Sequence, residues 1–90
     1  GTRRCARGAT TIDLTPREFA VLETLMRRHP EVTPKQELID DVWGIDFDGD
    51  ENVVEVTISR VRAAIDTPFD RSTLQTVRGL GYRVRSEATR

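Results

Sequence analysis

The 90-residue sequence is 37% hydrophobic and 32% charged with a formal net charge of −1, which fits one small folded domain and excludes a disordered chain. Its apolar runs are far shorter than the roughly 20 residues of a membrane-spanning helix, and no segment resembles a signal peptide, so we expect a cytoplasmic protein. One cysteine excludes an internal disulfide, and one histidine leaves zinc without its usual ligands, so no metal or cofactor is expected.

The first predicted element is a β-hairpin. Ile12 and Leu14 alternate with polar residues, as in a strand with one buried face, and another extended run precedes residues 7–9. We expect Cys5, in the first of these strands, to be a small packing residue and not a redox centre.

A helix is predicted over residues 16–28. Thr15 is a good N-cap, Pro16 suits the first helical position, and Glu18 stands where a capping box requires its carboxylate. The apolar residues at helical spacing are Phe19, Leu22, Leu25 and Met26. His29 precedes a proline and closes the helix, and its side chain is expected to be solvated or capping.

A second helix is predicted from a similar start. Thr33 is the expected cap, Pro34 the first helical residue, and Gln36 the reciprocal partner of the cap. The apolar face of this helix contains Leu38, Ile39, Val42 and Trp43.

Residues 44–52, "GIDFDGDEN", are predicted to form an acidic surface loop, because they combine glycine and acids without periodicity. Three acids alternate as in an EF-hand: Asp46, Asp48 and Asp50. The required glycine position holds Glu51, however, and the bidentate glutamate position holds Thr57, so calcium binding is excluded.

Residues 51–66, "ENVVEVTISRVRAAID", are compatible with a strand or a helix. Five β-branched residues in six positions favour a strand. Helical spacing, in contrast, extends through twelve residues and groups Val54, Ile58, Val61 and Ile65. The longer pattern predicts a helix, with Asn52 as cap and Glu55 as its partner, and Pro68 stops it.

The opposite face of this third helix suits the major groove of DNA. It contains Asn52, Val56, Ser59, Arg60 and Ala63, with Glu55 and Arg62 at its flanks. Arginine binds guanine with two hydrogen bonds, glutamate or asparagine meets an amino group of cytosine or adenine, and valine contacts a thymine methyl. A solvated amphipathic helix is the alternative interpretation.

A second hairpin is predicted in "LQTVRGLGYRVR", whose two extended runs meet at Arg78, Gly79, Leu80 and Gly81. Arg78 at a narrow tip fits the minor groove, where the negative potential is enhanced. The alternative is that Arg78 only keeps the hairpin soluble.

Charge is distributed unevenly along the chain. Residues 1–30 hold six Arg against three acids, residues 31–56 hold one Lys against nine acids, and residues 57–90 hold seven Arg against three acids. This distribution is compatible with one basic and one acidic face for different partners, or with charge scattered over a solvated surface.

Four segments together resemble a known family: "LTPREFAVLETL", "VTPKQELIDDVW", "ENVVEVTISRVRAAID" and "LQTVRGLGYRV". In this order and spacing, over roughly residues 10–85, they are similar to the DNA-binding effector domain of OmpR/PhoB-type response regulators. The resemblance implies an α+β winged helix-turn-helix fold with N-terminal strands, three helices and a C-terminal hairpin as the wing. It also implies a single effector domain over residues 1–90, with the third helix in the major groove and the wing in the minor groove.

The resemblance assigns roles by position. Glu55 and Arg60 correspond to base-reading sites and Arg78 to the wing arginine, and Val56 joins them as an expected base contact. The positions that correspond to phosphate contacts are Trp43, Asn52, Thr57, Ser59, Arg62, Thr76 and Tyr82. Packing is the expected main role of Trp43 and Tyr82. Ala63 replaces a basic residue found in many relatives, which removes one backbone contact.

The resemblance also implies partners. These are a phosphorylated receiver domain upstream of this chain and direct-repeat DNA half-sites bound by a tandem dimer of a protein that is otherwise monomeric. The acidic loop, with Asp46, Asp48 and Asp50, would face RNA polymerase in a bacterial cytoplasm. A winged-helix protein-interaction module is the alternative function. The sequence shows no clustered catalytic residues, so an enzyme is not expected.

Overall fold

The computed structural model describes residues 3–7 and 10–85, with side chains from residue 10 onward. The elements are β1 (Arg3–Arg7), β2 (Thr10–Leu14), α1 (Pro16–Arg28), α2 (Lys35–Leu38), a π-helical turn (Ile39–Trp43), α3 (Asn52–Ile65), a 3-10 turn (Thr67–Phe69), β3 (Leu74–Val77) and β4 (Gly81–Val84). The predicted α+β order of strands, three helices and a terminal hairpin is confirmed. The side chain of Cys5 and residues 8 and 9 lie outside the described part.

The N-terminal hairpin pairs β1 and β2 in antiparallel register, with Arg3 opposite Leu14 and Cys5 opposite Ile12. Ile12 and Leu14 are buried, as their alternation predicts. The hairpin therefore covers the core with one face of β2.

Helix α1 begins with the predicted capping box. The amide of Glu18 donates to the Thr15 hydroxyl at 3.1 Å, and the amide of Thr15 donates to the Glu18 carboxylate at 3.0 Å. The helix differs from the sequence pattern at Met26, which is 58% exposed, whereas Val21 is fully buried. The buried stripe centres on Val21 and Leu25, and Met26 is turned away from it by about a third of a helical turn.

His29 closes α1 as expected, but its side chain has a partner. Its backbone N–H donates to Met26, and its ring Nδ1 lies 2.7 Å from the carbonyl oxygen of Val84, so the imidazole donates to β4. The residue is exposed, as expected, and its ring also bonds to β4 because α1 packs against the end of that strand.

The predicted start of α2 is also wrong. Thr33 is fully buried, and its backbone pairs with Tyr82: the Thr33 amide donates to Tyr82 at 2.7 Å and the Tyr82 amide to Thr33 at 3.0 Å. Pro34 is the N-cap, without a side-chain hydrogen bond, and the helix begins at Lys35. The side chain of Gln36 donates to Asp40 instead of a cap. Thr33 thus joins the chain before α2 to the terminal hairpin, a contact between distant segments.

Helix α3 resolves the ambiguity of residues 51–66 in favour of the helix. All four residues of the predicted apolar stripe are buried: Val54, Ile58, Val61 and Ile65. The predicted cap is wrong, however, because Asn52 is the first helical residue and Glu51 the N-cap. The carboxylate of Asp50 accepts the Asn52 amide at 2.9 Å, so the helix start is held by an acid of the preceding loop.

Buried residues of β2, all three helices, β3 and β4 form one hydrophobic core. The core lies behind α3 and beneath the terminal hairpin, which leaves the outer faces of both elements exposed. Within the described residues, every helix is too short or too polar to cross a membrane.

Candidate nucleic-acid interface

The outward face of α3 is open to solvent. Asn52, Glu55, Val56, Ser59, Arg60 and Ala63 are exposed along it. Val56 is 40% exposed, a large value for a valine in a folded helix. Within the described part of the chain, the Arg60 guanidinium has no hydrogen bond or ion pair, so it is available to an external partner.

The terminal hairpin projects beside α3 and carries a second arginine. Strands β3 and β4 are antiparallel, with Val77 opposite Gly81. The intervening turn closes with a hydrogen bond from the Leu80 amide to the Val77 carbonyl at 2.9 Å, and Gly79 has a φ of 79° that favours glycine. Arg78 is exposed at this tip, and Leu80 is 64% exposed. We call residues 74–84 the wing.

Arg62 joins α3 to the wing. Its Nε donates to the Leu74 carbonyl at 3.2 Å, and its Nη2 donates to the Thr76 hydroxyl at 3.0 Å. Two residues predicted separately as phosphate contacts, Arg62 and Thr76, are therefore brought together. Their hydrogen bond orients the guanidinium along the exposed edge of the wing.

Asp66 forms a second hydrogen-bonded link between the end of α3 and the wing, which the sequence did not reveal. It follows α3, is 1% exposed, and accepts the amide of Leu74 on its Oδ2 at 2.9 Å. A buried carboxylate that accepts a backbone N–H is stabilised by that bond. No residue pattern separates this acid from a solvated one, because its partner lies in another element.

A cleft of about 400 Å³ lies between α2, α3 and the wing. Lys35, Glu55, Thr76, Arg78 and Tyr82 are among the residues that line it. Burial raises the pKa of the Tyr82 phenol, because the charged form is disfavoured away from water. The hydroxyl is therefore protonated at neutral pH and able to donate a hydrogen bond.

Glu55, a predicted base contact, already has a protein partner. Its Oε2 accepts a hydrogen bond from Lys35 Nζ at 2.8 Å, which joins the first residue of α2 to the first turns of α3. This hydrogen bond, with the charge of Glu55, raises the pKa of Lys35, while slight burial opposes the shift. The lysine is cationic and the pair is neutral as a unit.

Thr57 does not fit the expected phosphate contact. It is 7% exposed, and its hydroxyl donates to the carbonyl of Val53 one turn earlier at 2.8 Å. The helical period turns Thr57 toward the core beside Ile58. We therefore leave it out of the candidate interface.

Trp43 is half-buried at the end of the second helical segment. The Arg17 guanidinium lies 5.0 Å from the centre of its ring, and the Phe47 ring centre is 6.2 Å away. These contacts show that Trp43 packs between α1 and the acidic loop.

The acidic loop of residues 44–52 is anchored by Phe47. The ring of Phe47 lies against Gly49, where an added Cβ would meet it at 2.5 Å. Asp46 and Asp48 are exposed, and Ile45 beside them is 83% exposed. Asp50 is exposed as well, although its carboxylate also accepts the Asn52 amide at the start of α3. In the described residues no group of three His, Cys, Asp or Glu is placed to hold a metal ion.

Comparison with known proteins identifies similar domains. Residues 9–84 match the family described as "Transcriptional regulatory protein, C terminal". The chain is 41% identical over 81 residues to the transcriptional regulatory protein CusR of Escherichia coli, which covers 90% of this chain and 36% of CusR. It is 37% identical over 84 residues to the uncharacterized transcriptional regulatory protein YkoG of Bacillus subtilis, covering 93% of this chain and 37% of YkoG.

A solved structure shares the fold. The Klebsiella pneumoniae RstA DNA-binding domain, crystallised in complex with the RstA box, has a TM-score of 0.79 and 26% identity and covers 92% of this chain and 83% of that one. The present chain, in contrast, spans little more than a third of the length of the curated relatives it matches.

Proposed function

This chain belongs to the OmpR/PhoB-type family of transcriptional regulatory C-terminal domains, and from this premise we propose that it binds duplex DNA sequence-specifically and regulates transcription. In this proposal α3 enters the major groove and the wing reaches the adjacent minor groove. The Klebsiella relative supports it, since a domain of this fold was crystallised with its DNA box.

The observation that carries the proposal is the placement of Arg60 and Arg78. Both are exposed, on two neighbouring projecting elements, and neither is paired with another side chain in the described part of the chain. The apolar stripe of α3 is buried at the same time, so Arg60 is held on a rigid helix. An arginine on such a helix reads guanine, and an arginine on a narrow tip suits the minor groove.

The proposed contacts divide into two groups. Base contacts come from Glu55, Val56, Arg60 and Arg78. Phosphate contacts come from Asn52, Ser59, Arg62 and Thr76, whereas Tyr82, which is 6% exposed, and half-buried Trp43 mainly pack against the core. Because the sequence pI is about 5.8, the isolated domain should bind non-specific DNA weakly, since that binding depends on phosphate neutralisation.

The partners of the whole regulator belong to the same proposal. A receiver domain lies upstream, and two copies bind direct-repeat half-sites whose centres are about 10 bp apart. The exposed acids Asp46, Asp48 and Asp50 suit a protein partner, and we assign RNA polymerase to this surface. Such a regulator acts in the bacterial cytoplasm and has no enzymatic step of its own.

Selection of binding sites from a random duplex library tests the proposal, followed by affinity measurements on the selected site and on single-base variants. Arg60→Ala should lose about 1–3 kcal/mol of discrimination at one base pair. Arg27→Ala is the matched control, because Arg27 is an exposed arginine on α1 that pairs only loosely with Glu23 at 3.8 Å. Equal losses for Arg60→Ala on the selected and scrambled sequences would contradict base reading.

A further inference from the structure

We propose that Lys35 is a positioning residue for base recognition: it holds one oxygen of the Glu55 carboxylate and thereby presents the other oxygen to an amino group of a base. This inference rests on the proposed DNA-binding function and adds a specificity-determining residue that lies outside α3 and the wing.

The geometry of the pair supports this role. Lys35 is the first residue of α2, and its Nζ lies 2.8 Å from Oε2 of Glu55, 20 positions later in the chain. The Glu55 side chain is 56% exposed and that of Lys35 is 32% exposed. The carboxylate therefore lies on the solvent side of the pair, and its Oε1 accepts no hydrogen bond from the described residues.

Electrostatics explains why a reading carboxylate needs this lysine. A bare carboxylate is repelled by DNA phosphates, whereas a carboxylate paired with an ammonium approaches as a neutral group. The oxygen left over is the acceptor that cytosine N4 or adenine N6 requires in the major groove. An exposed ion pair adds little to folding stability, so the effect of Lys35 should be found in base choice.

The cleft beside the pair suggests the competing role. Lys35 and Tyr82 line the same cleft, and a phosphate entering there would draw Lys35 away from Glu55. In that case Lys35 would contribute equally to the affinity for every DNA sequence. A double-mutant cycle with Glu55 distinguishes this phosphate-binding role from the positioning role.

The experiment measures affinity for the selected site and for the three variants of the base pair whose preference is lost in Glu55→Gln. We expect Lys35→Met to lower discrimination at this base pair by about fivefold or more. The same substitution in the Glu55→Gln background should cause no further loss. Lys35→Arg, which retains a donor of similar reach, should restore discrimination.

Arg28→Met is the matched control. Arg28 forms an ion pair with Glu37 that joins α1 to α2, and its side chain is 40% exposed, so its loss removes a comparable bridge at another place. Discrimination should be unchanged in this variant. A melting curve of each variant checks that it is folded under the binding conditions.

Three outcomes overturn the inference while leaving DNA binding intact. These are a loss in Lys35→Met that is equal on all sequences and persists in the Glu55→Gln background, a lower melting temperature with unchanged discrimination, and an absence of base-specific loss in Glu55→Gln. Failure of the wild-type domain to select any site would instead contradict the proposed function itself, and the inference with it.

Discussion

Gly81, the first residue of β4, lies so close to the backbone of Thr33 and Pro34 that a residue with a Cβ would overlap with it. A Cβ at this position would lie 2.1 Å from the backbone oxygen of Thr33 and 2.8 Å from Cα of Pro34, and its φ is 150°. Both obstacles are backbone atoms, which cannot rotate away. The absence of a side chain at Gly81 is what allows Tyr82 and Thr33 to pair.

We expect Gly81→Ala to destabilise the domain by more than about 2 kcal/mol, because steric overlap adds to the cost of the backbone conformation. Gly79→Ala is the matched control: Gly79 also has a positive φ of 79°, but a Cβ added there would meet no described atom within 4 Å. That variant should lose only about 1–2 kcal/mol. Urea denaturation measures both, and equal losses would show that the contact with Thr33 is unimportant.

The outward placement of Arg60 and Val56 on α3 was predictable, and placements set by contacts between elements were not. The period of 3.6 places Arg60 and Val56 outward once Ile58 is inward, so composition and spacing are sufficient. Thr33 is a good cap by residue type, yet its backbone is already paired with Tyr82. Asp66 is an ordinary acid in the sequence, and only the approach of β3 makes it a buried acceptor.

At the scale of elements, hydrogen bonds to β3 hold α3 and the wing together. Arg62 donates to Leu74 and Thr76, and Asp66 accepts from Leu74. The two ties act on neighbouring residues of one strand, so they fix the direction in which β3 leaves the core. Arg62 thus has a structural role besides its proposed phosphate contact.

We expect Arg62→Ala to lower the free energy of unfolding by about 1 kcal/mol, because two hydrogen bonds from a half-exposed guanidinium are lost. Affinity should fall on all DNA sequences alike, with a shallower salt dependence. Arg83→Ala is the control for stability, since exposed Arg83 bonds to Gln75 of the neighbouring strand at 3.0 Å and to no other residue in the described part of the chain. Chemical denaturation and salt titrations test this, and a loss confined to one base pair would contradict it.

The elements themselves were largely predictable. The capping box of α1, the glycine turn of the wing and the helical spacing of α3 are local signals, and each gave the correct element. The strand propensity of residues 53–58 is overridden because the helix buries Val54, Ile58, Val61 and Ile65 in one core. The helix starts at Lys35 and Asn52 were missed, since each depends on a neighbouring backbone or loop.

At the scale of the whole molecule, two exposed acids of the loop and the two arginines proposed to read bases lie on different elements. The acidic loop presents Asp46 and Asp48, and the exposed arginines Arg60 and Arg78 lie on α3 and the wing. At these four residues the uneven charge of the sequence falls on separate elements. This separation keeps net repulsion from DNA low at the side that is proposed to approach it.

We expect the double variant Asp46→Asn and Asp48→Asn, in the full regulator, to bind its operator with nearly unchanged affinity but to activate transcription less. Asp50 is left intact because it holds the start of α3. Binding assays and promoter output are measured together. Unchanged promoter output would remove RNA polymerase as the proposed partner of this loop.

The hydrogen bonds of Arg62 and Asp66 to β3 hold the wing in one position relative to α3. In the proposed complex these hydrogen bonds set the distance between the major-groove and minor-groove contacts, so the duplex is expected to deform to match it. Operators with the same contacted bases should then differ in affinity according to how readily the steps between the two grooves deform. Flexible pyrimidine–purine steps placed between the two contacted grooves should strengthen binding, although no side chain of the protein contacts them.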